Sequence, residues 1–173
     1  MKAGDLISGM PGHPLHPPLT DATIGIYTFA TIAALADVLG ISDNAATHGW
    51  WLALIAGLIT SIFTALTGLV DWLKITRGTP LWRTATSHMI AMLSASVVFL
   101  ITVFAGHSDF RHGNVTALPL ILTLIGFGLL TLGGWLGGAL VFTYGMRVLN
   151  RPEAPARQAT SPETTPAERE AEG

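Results

Sequence analysis

Histidine offers the widest chemistry in this sequence of 173 residues, which has six histidines, at positions 13, 16, 48, 88, 107 and 112, and no cysteine. A neutral imidazole can ligate a metal or haem iron and can carry a proton near neutral pH. The absence of cysteine removes disulfides, thiolate metal sites and cysteine-ligated iron–sulfur clusters from consideration. His13 and His16 lie in the string Pro11-Gly12-His13-Pro14-Leu15-His16-Pro17-Pro18. Each precedes a proline, which biases it towards extended backbone. In polyproline geometry their rings would share a side with backbones ~9 Å apart, too far to chelate one ion without a bend. Either could still pair with a group from another segment.

His88 stands inside an apolar stretch, with the small or flexible Ala91, Met92, Ala95 and Ser96 as helical neighbours. That setting leaves room for a bound group, or for a histidine that only hydrogen-bonds another helix. Two carboxylates join the set. Thr60, Thr64, Thr67 and Asp71 recur at helical spacing and form a polar stripe ending in the acid. A carboxylate inside a bundle must be paired, neutral or functional. Asp71 could equally sit at headgroup level beside Trp72 and pair with Lys74 or Arg77. Asp21 could relay a proton, or simply complement a positive helix start.

The elements that must position these residues are four apolar runs, expected as helices over about 22–39, 50–72, 80–105 and 117–146. Charged residues make up only 12% of the chain, and eight of the twenty charges follow Asn150. A helix of about 20 apolar residues spans the hydrocarbon layer. Only helices and closed barrels satisfy their backbone polar groups there. The expected fold is therefore all-α, an integral membrane four-helix bundle with both termini on the same side and lipid as its surroundings. Residues 1–21 form a pre-membrane segment, and its prolines are expected to forbid helix, with Thr20 or Asp21 capping the first span. No cleavable signal peptide is evident. Thr79-Pro80 reads as the start of the third span. Residues 149–173, rich in Pro, Ala, Thr and Glu, are expected to be a disordered tail.

Lys2, Lys74, Arg77, Arg83, Arg147, Arg151 and Arg157 fall on one side of this topology, against Arg111 on the other. The positive-inside rule then puts both termini in the cytoplasm, with the protein in the inner membrane. His13, His16, Asp21, Asp71 and His88 gather at the cytoplasmic rim. His48, His107 and His112 gather at the outer one, where a metal site needs the two loops to meet.

Gly133/Gly137 and Gly134/Gly138 are overlapping pairs of the kind that lets helices approach closely in lipid, although a flat cofactor would use the same room. Trp135 and Phe142 would fill gaps or face lipid. No internal repeat stands out as an inverted-repeat transporter would show it. No acyl-transfer triad, phosphate loop or zinc-protease signature is present, and no basic patch suggests nucleic acid.

The string Gly12-His13-Pro14-Leu15-His16-Pro17 running on to Thr20-Asp21, with Thr67-Gly68-Leu69-Val70-Asp71-Trp72, His88 and Gly133-Gly134-Trp135-Leu136-Gly137-Gly138, resembles a bacterial four-span membrane family of unknown function. The resemblance covers about residues 11–148. Members often stand beside, or are fused to, a Rieske-type iron–sulfur domain, which implies redox work by association and a Rieske-type or other redox protein as partner. This chain carries Ala139 where relatives are expected to have a polar residue.

Two functional classes follow. In the first, the protein is a small redox-accessory protein rather than an enzyme. His13 or His16, with His88, would ligate a b-type haem or a metal ion or bind a quinone headgroup. Asp71 would orient a ligand imidazole or, with Asp21, relay a proton. In the second, the same residues form a structural network in a non-catalytic scaffold. A proton-coupled carrier is a third, weaker reading.

Overall fold

The computed structural model describes residues 7–10, 12–41, 44–149 and 152–156. Most of the expected tail, and residues 1–6, lie outside the described residues. Two short strands, β1 (Gly9–Met10) and β2 (His13–Pro14), pair antiparallel with Gly9 opposite Pro14. Gly9 and Gly12 turn this segment at φ 78° and 79°, a region L-residues rarely adopt. A side chain at Gly9 would also strike the His13 and Pro14 backbone.

Helix α1 then runs His16–Val38, longer at its start than the sequence suggests. Pro17 and Pro18 sit in its first turn. A proline there loses nothing, because those N–H groups have no partner inside the helix. The expectation that these prolines forbid helix is therefore corrected. The cap is Leu15, without a side-chain hydrogen bond, rather than Thr20 or Asp21. Helix α2 spans Asn44–Leu73 and takes in the polar residues before Trp50. Helix α3 spans Pro80–Ala105, and the Thr79 hydroxyl caps it by accepting from the Trp82 N–H at 3.1 Å. A short helix, α4 (His107–His112), occupies the third loop and stops at Gly113, φ 70°. Helix α5 spans Ala117–Phe142, ending before residue 146.

The four long helices have 23, 30, 26 and 26 residues, hence roughly 35–45 Å at 1.5 Å per residue. Each is long and apolar enough to cross a membrane. Large apolar side chains point outward: Phe104, Trp135 and Phe142 are 75%, 79% and 89% exposed. The interior holds many alanines and threonines around a few large side chains, Trp50, Tyr27, Phe99, Leu54 and Leu130. Buried Thr31, Thr102 and Thr123 each donate to the carbonyl four residues earlier, so no hydroxyl among them is left unpaired in a low-dielectric core.

Helix α1 packs on α2 and α3 on α5, while α2 meets α3 and α1 meets α5. That leaves α1 and α3 diagonal across the bundle. Their aromatic rings meet at its centre, where Tyr27 stacks on Phe99 with centroids 3.9 Å apart and planes 13° from parallel. Tyr27 fits against Gly57 of α2, and Phe99 against Gly126 of α5.

This correspondence extends along the whole bundle. His16 lies against Gly68 and His88 against Gly137. The spacing from His16 to Tyr27 equals that from His88 to Phe99, and the spacing from Gly57 to Gly68 equals that from Gly126 to Gly137. At the opposite end Asp37 accepts from the Thr47 hydroxyl, and Asp109 accepts from the Thr116 hydroxyl at 2.9 Å. Asp37 and Asp109 keep the offset of His16 and His88, and Thr47 and Thr116 keep that of Gly57 and Gly126. The protein is thus two similar helical hairpins, α1–α2 and α3–α5, running in the same direction about a pseudo-two-fold axis along the bundle. The repeat is parallel rather than inverted.

Candidate functional site

A cavity of about 430 Å³ opens at the end where α1 and α3 begin, with all four long helices in its walls. Its lining is mostly apolar, interrupted by His16, His88, Asp21, Asp71 and Arg147.

His16 is the first residue of α1, and the turn before it delivers its ring onto α2 at Gly68. Its Nδ1 lies 3.0 Å from the Thr64 carbonyl oxygen and 3.2 Å from the Thr67 hydroxyl. A carbonyl oxygen only accepts, so Nδ1 carries the hydrogen. The Thr67 hydroxyl fits this assignment. It donates to carbonyls of its own helix, Thr64 at 2.9 Å and Phe63 at 3.1 Å, and so offers its lone pair to His16.

His88 lies about two turns into α3, with its ring against Gly137 of α5. Its Nδ1 donates to the Gly133 carbonyl oxygen at 2.8 Å. Thr64 and Gly133 are matching positions of α2 and α5, in the register that pairs Gly57 with Gly126 and Gly68 with Gly137. Both imidazoles therefore hold the same tautomer by the same device, and in the neutral form each leaves Nε2 with a free lone pair. Among the described residues neither Nε2 makes a hydrogen bond. The ring centroids are 6.4 Å apart with planes at 87°.

Asp71 is 4% exposed and lies 3.5 Å from Lys74 Nζ and 3.6 Å from Arg147 Nε. Lys74 and Arg147 also hold the N-terminal segment. Lys74 donates to the Ser8 hydroxyl at 2.7 Å, and Arg147 donates to the Ser8 carbonyl. Arg147 enters the sequence reading only through the charge asymmetry and is not one of its candidate site residues. It follows a helix end and is aimed by two left-handed residues, Gly145 at φ 64° and Arg147 itself at φ 62°. No sequence spacing announces that turn. Asp71 makes no hydrogen bond to either imidazole among the described residues. The orienting role expected of it is filled by the Thr64 and Gly133 carbonyls.

Asp21 is exposed at the cavity rim, without a hydrogen bond or ion pair among the described residues. His13 is exposed on β2, outside the cavity wall. Of the five residues expected to gather, His16, His88 and Asp71 do so within the wall, Asp21 edges it and His13 stays outside. Trp72 donates to the Thr86 hydroxyl at 3.0 Å, tying α2 to α3 beside the cavity.

The two glycine pairs divide their work. Gly133 and Gly137 admit Met92 and His88 of α3, while Gly134 and Gly138 line the cavity with almost nothing within 4 Å. Ala139 does not line the cavity. At the other end the histidines are dispersed: His48 packs on Phe110, His107 tilts towards Trp51, and His112 bonds within its own helix. Among the described residues no group of three or more His, Asp or Glu is placed to hold a metal ion.

The family model described as "Predicted membrane protein (DUF2231)" matches residues 12–150. No curated protein and no solved structure matches the chain.

Proposed function

We propose, for a chain that belongs to this family of membrane proteins of unknown function, a small redox-accessory role at a cofactor site between α1 and α3. The observation that carries the reading is the pair His16 and His88. Each is anchored through Nδ1 to a backbone carbonyl and leaves Nε2 free beside an apolar cavity. Ligating histidines are held in this way, with the second nitrogen donating to a carbonyl or carboxylate. A cavity of about 430 Å³ is in the size range of small-molecule sites. A b-type haem, a metal ion or a quinone headgroup is the class of group considered, and any of them would supply electron exchange.

The chain's own residues would bind and orient that group. Apolar walls would exclude water, and Gly134 and Gly138 would let the group approach the α5 backbone. Asp71, neutralised by Lys74 and Arg147, and Asp21 at the rim are the groups proposed to pass protons. By the Lys and Arg distribution this end is cytoplasmic, with the protein in the inner membrane. A Rieske-type protein is the partner suggested by the family resemblance.

The test is the purified full chain in detergent, examined by optical spectroscopy before and after reduction, by elemental analysis and by mass spectrometry of its organic extract. A stoichiometric redox-active compound is expected, and it is lost in His88→Ala. A second reading is favoured by the bonds from His16 to Thr64 and from His88 to Gly133, which also tie each hairpin together. In that scaffold reading His88→Ala lowers thermal stability, and no redox-active compound accompanies the wild-type chain.

A further inference from the structure

We infer that the cavity takes an iron tetrapyrrole on the pseudo-two-fold axis, with His16 and His88 as equivalent axial ligands. The inference rests on the redox reading and narrows it to one class of group.

The first argument is distance. With metal–nitrogen bonds of about 2.0 Å and a ring radius of about 1.1 Å, two imidazoles opposite each other across one ion have centroids about 6 Å apart, whereas tetrahedral neighbours are about 5 Å apart. The observed 6.4 Å, with the planes at 87°, is closer to the opposite spacing than to the tetrahedral one. The second argument is donor number. Two imidazoles do not satisfy a bare ion, and the described residues bring no third acidic or histidine ligand into a metal-holding group with them. A tetrapyrrole brings four nitrogens of its own and needs only the two axial positions.

The third argument is the repeat. His16 and His88 occupy matching positions of two hairpins, each bonded through Nδ1 to the matching carbonyl and each seated over a matching glycine. A group bound midway between them meets the same donor from each face, as an axially ligated flat ring requires. Bundles build such sites from side chains on facing helices. The fourth argument is shape: Gly134 and Gly138 give α5 a wall without side chains beside the histidines.

The experiment adds haemin to the purified full chain in detergent and follows the Soret and visible bands, with electron paramagnetic resonance of the oxidised sample. One haemin per chain is expected, with the sharp paired visible bands of a six-coordinate low-spin iron after reduction. His16→Gly and His88→Gly should each abolish those bands, and free imidazole should restore them in both variants. That rescue separates ligation from a folding defect. Low-spin bands that persist in either variant overturn the inference, as does loss without imidazole rescue in a variant whose unfolding temperature is retained. Failure to bind haemin also overturns it. In that case a tightly bound quinone or ion recovered from the protein leaves the redox reading standing, and recovery of no redox-active compound removes both.

Discussion

His88 donates from Nδ1 to the carbonyl oxygen of Gly133 at 2.8 Å, and the repeat places His16 in the same relation to Thr64. The bond joins two helices of one hairpin, fixes the tautomer of the ring and turns its free nitrogen into an acceptor. Both its structural and its chemical consequences can be measured.

Gly68→Ala should disturb the site through packing alone. A methyl group there would lie 2.7 Å from His16 Cε1, so the ring must shift. The loss in stability should be about 1–3 kcal/mol, the usual effect of overpacking. Gly134→Ala, whose nearest neighbour is Ile24 Cδ1 at 3.9 Å, should unfold within about 0.5 kcal/mol of wild type while weakening ligand binding. Thermal unfolding in detergent, with a binding titration beside it, separates the two effects.

Asp71→Asn should loosen the clasp at the cavity end. The buried carboxylate serves two cations whose side chains are 54% and 30% exposed, so solvent screening limits the loss to about 1–3 kcal/mol. The N-terminal segment should become more open to proteolysis, because Lys74 and Arg147 also hold Ser8. Asp21→Asn should leave unfolding within about 0.5 kcal/mol of wild type. Equal losses from the two substitutions would contradict this picture.

At the opposite end, Asp37 accepts from the Val115 N–H at 2.8 Å and Asp109 from the Thr116 N–H at 2.6 Å. Asp37→Ala and Asp109→Ala should each destabilise by about 1–3 kcal/mol. Because their acceptor roles fall on adjacent residues, the double variant should depart from additivity by about 0.5 kcal/mol or more. A double-mutant cycle measured by unfolding decides this.

Phe99→Ala removes one half of the central stack and should destabilise by about 3–5 kcal/mol. Tyr27→Phe keeps the stack and loses the hydroxyl with its contacts to Ser61, 3.1 Å away, and Ser96, so about 1 kcal/mol is expected. If the two losses are equal, the ring stack is not what holds the centre.

Trp135 is 79% exposed and Trp50 is 0% exposed. In vesicles with brominated acyl chains, single-tryptophan variants keeping Trp135 should be strongly quenched, and those keeping Trp50 only weakly. Equal quenching would place lipid where the bundle interior is described.

Several features were legible in the residues. Four apolar stretches nearly free of charge require helices in lipid, and Thr79-Pro80 marks a helix start because the hydroxyl can cap where proline lacks its N–H. The small and flexible residues around His88 signalled room beside it, and His88, Met92 and Ser96 line the cavity. The repeat was also within reach, since its signal lies in a few polar and glycine positions, His16/His88, Asp37/Asp109, Thr47/Thr116 and Gly57/Gly126. The apolar residues between them only need to be greasy, so overall similarity is diluted below notice.

By itself, the sequence determined that this chain is a four-helix membrane protein, because hydrocarbon admits few backbone solutions and those depend on composition along the chain. Only the tertiary structure decided that His16 rather than His13 faces His88, that Arg147 reaches Asp71, and that backbone carbonyls rather than a carboxylate orient the imidazoles. Those outcomes depend on helix rotation and on two left-handed residues after α5. Contacts between residues far apart in the chain set them, and no local pattern encodes such contacts.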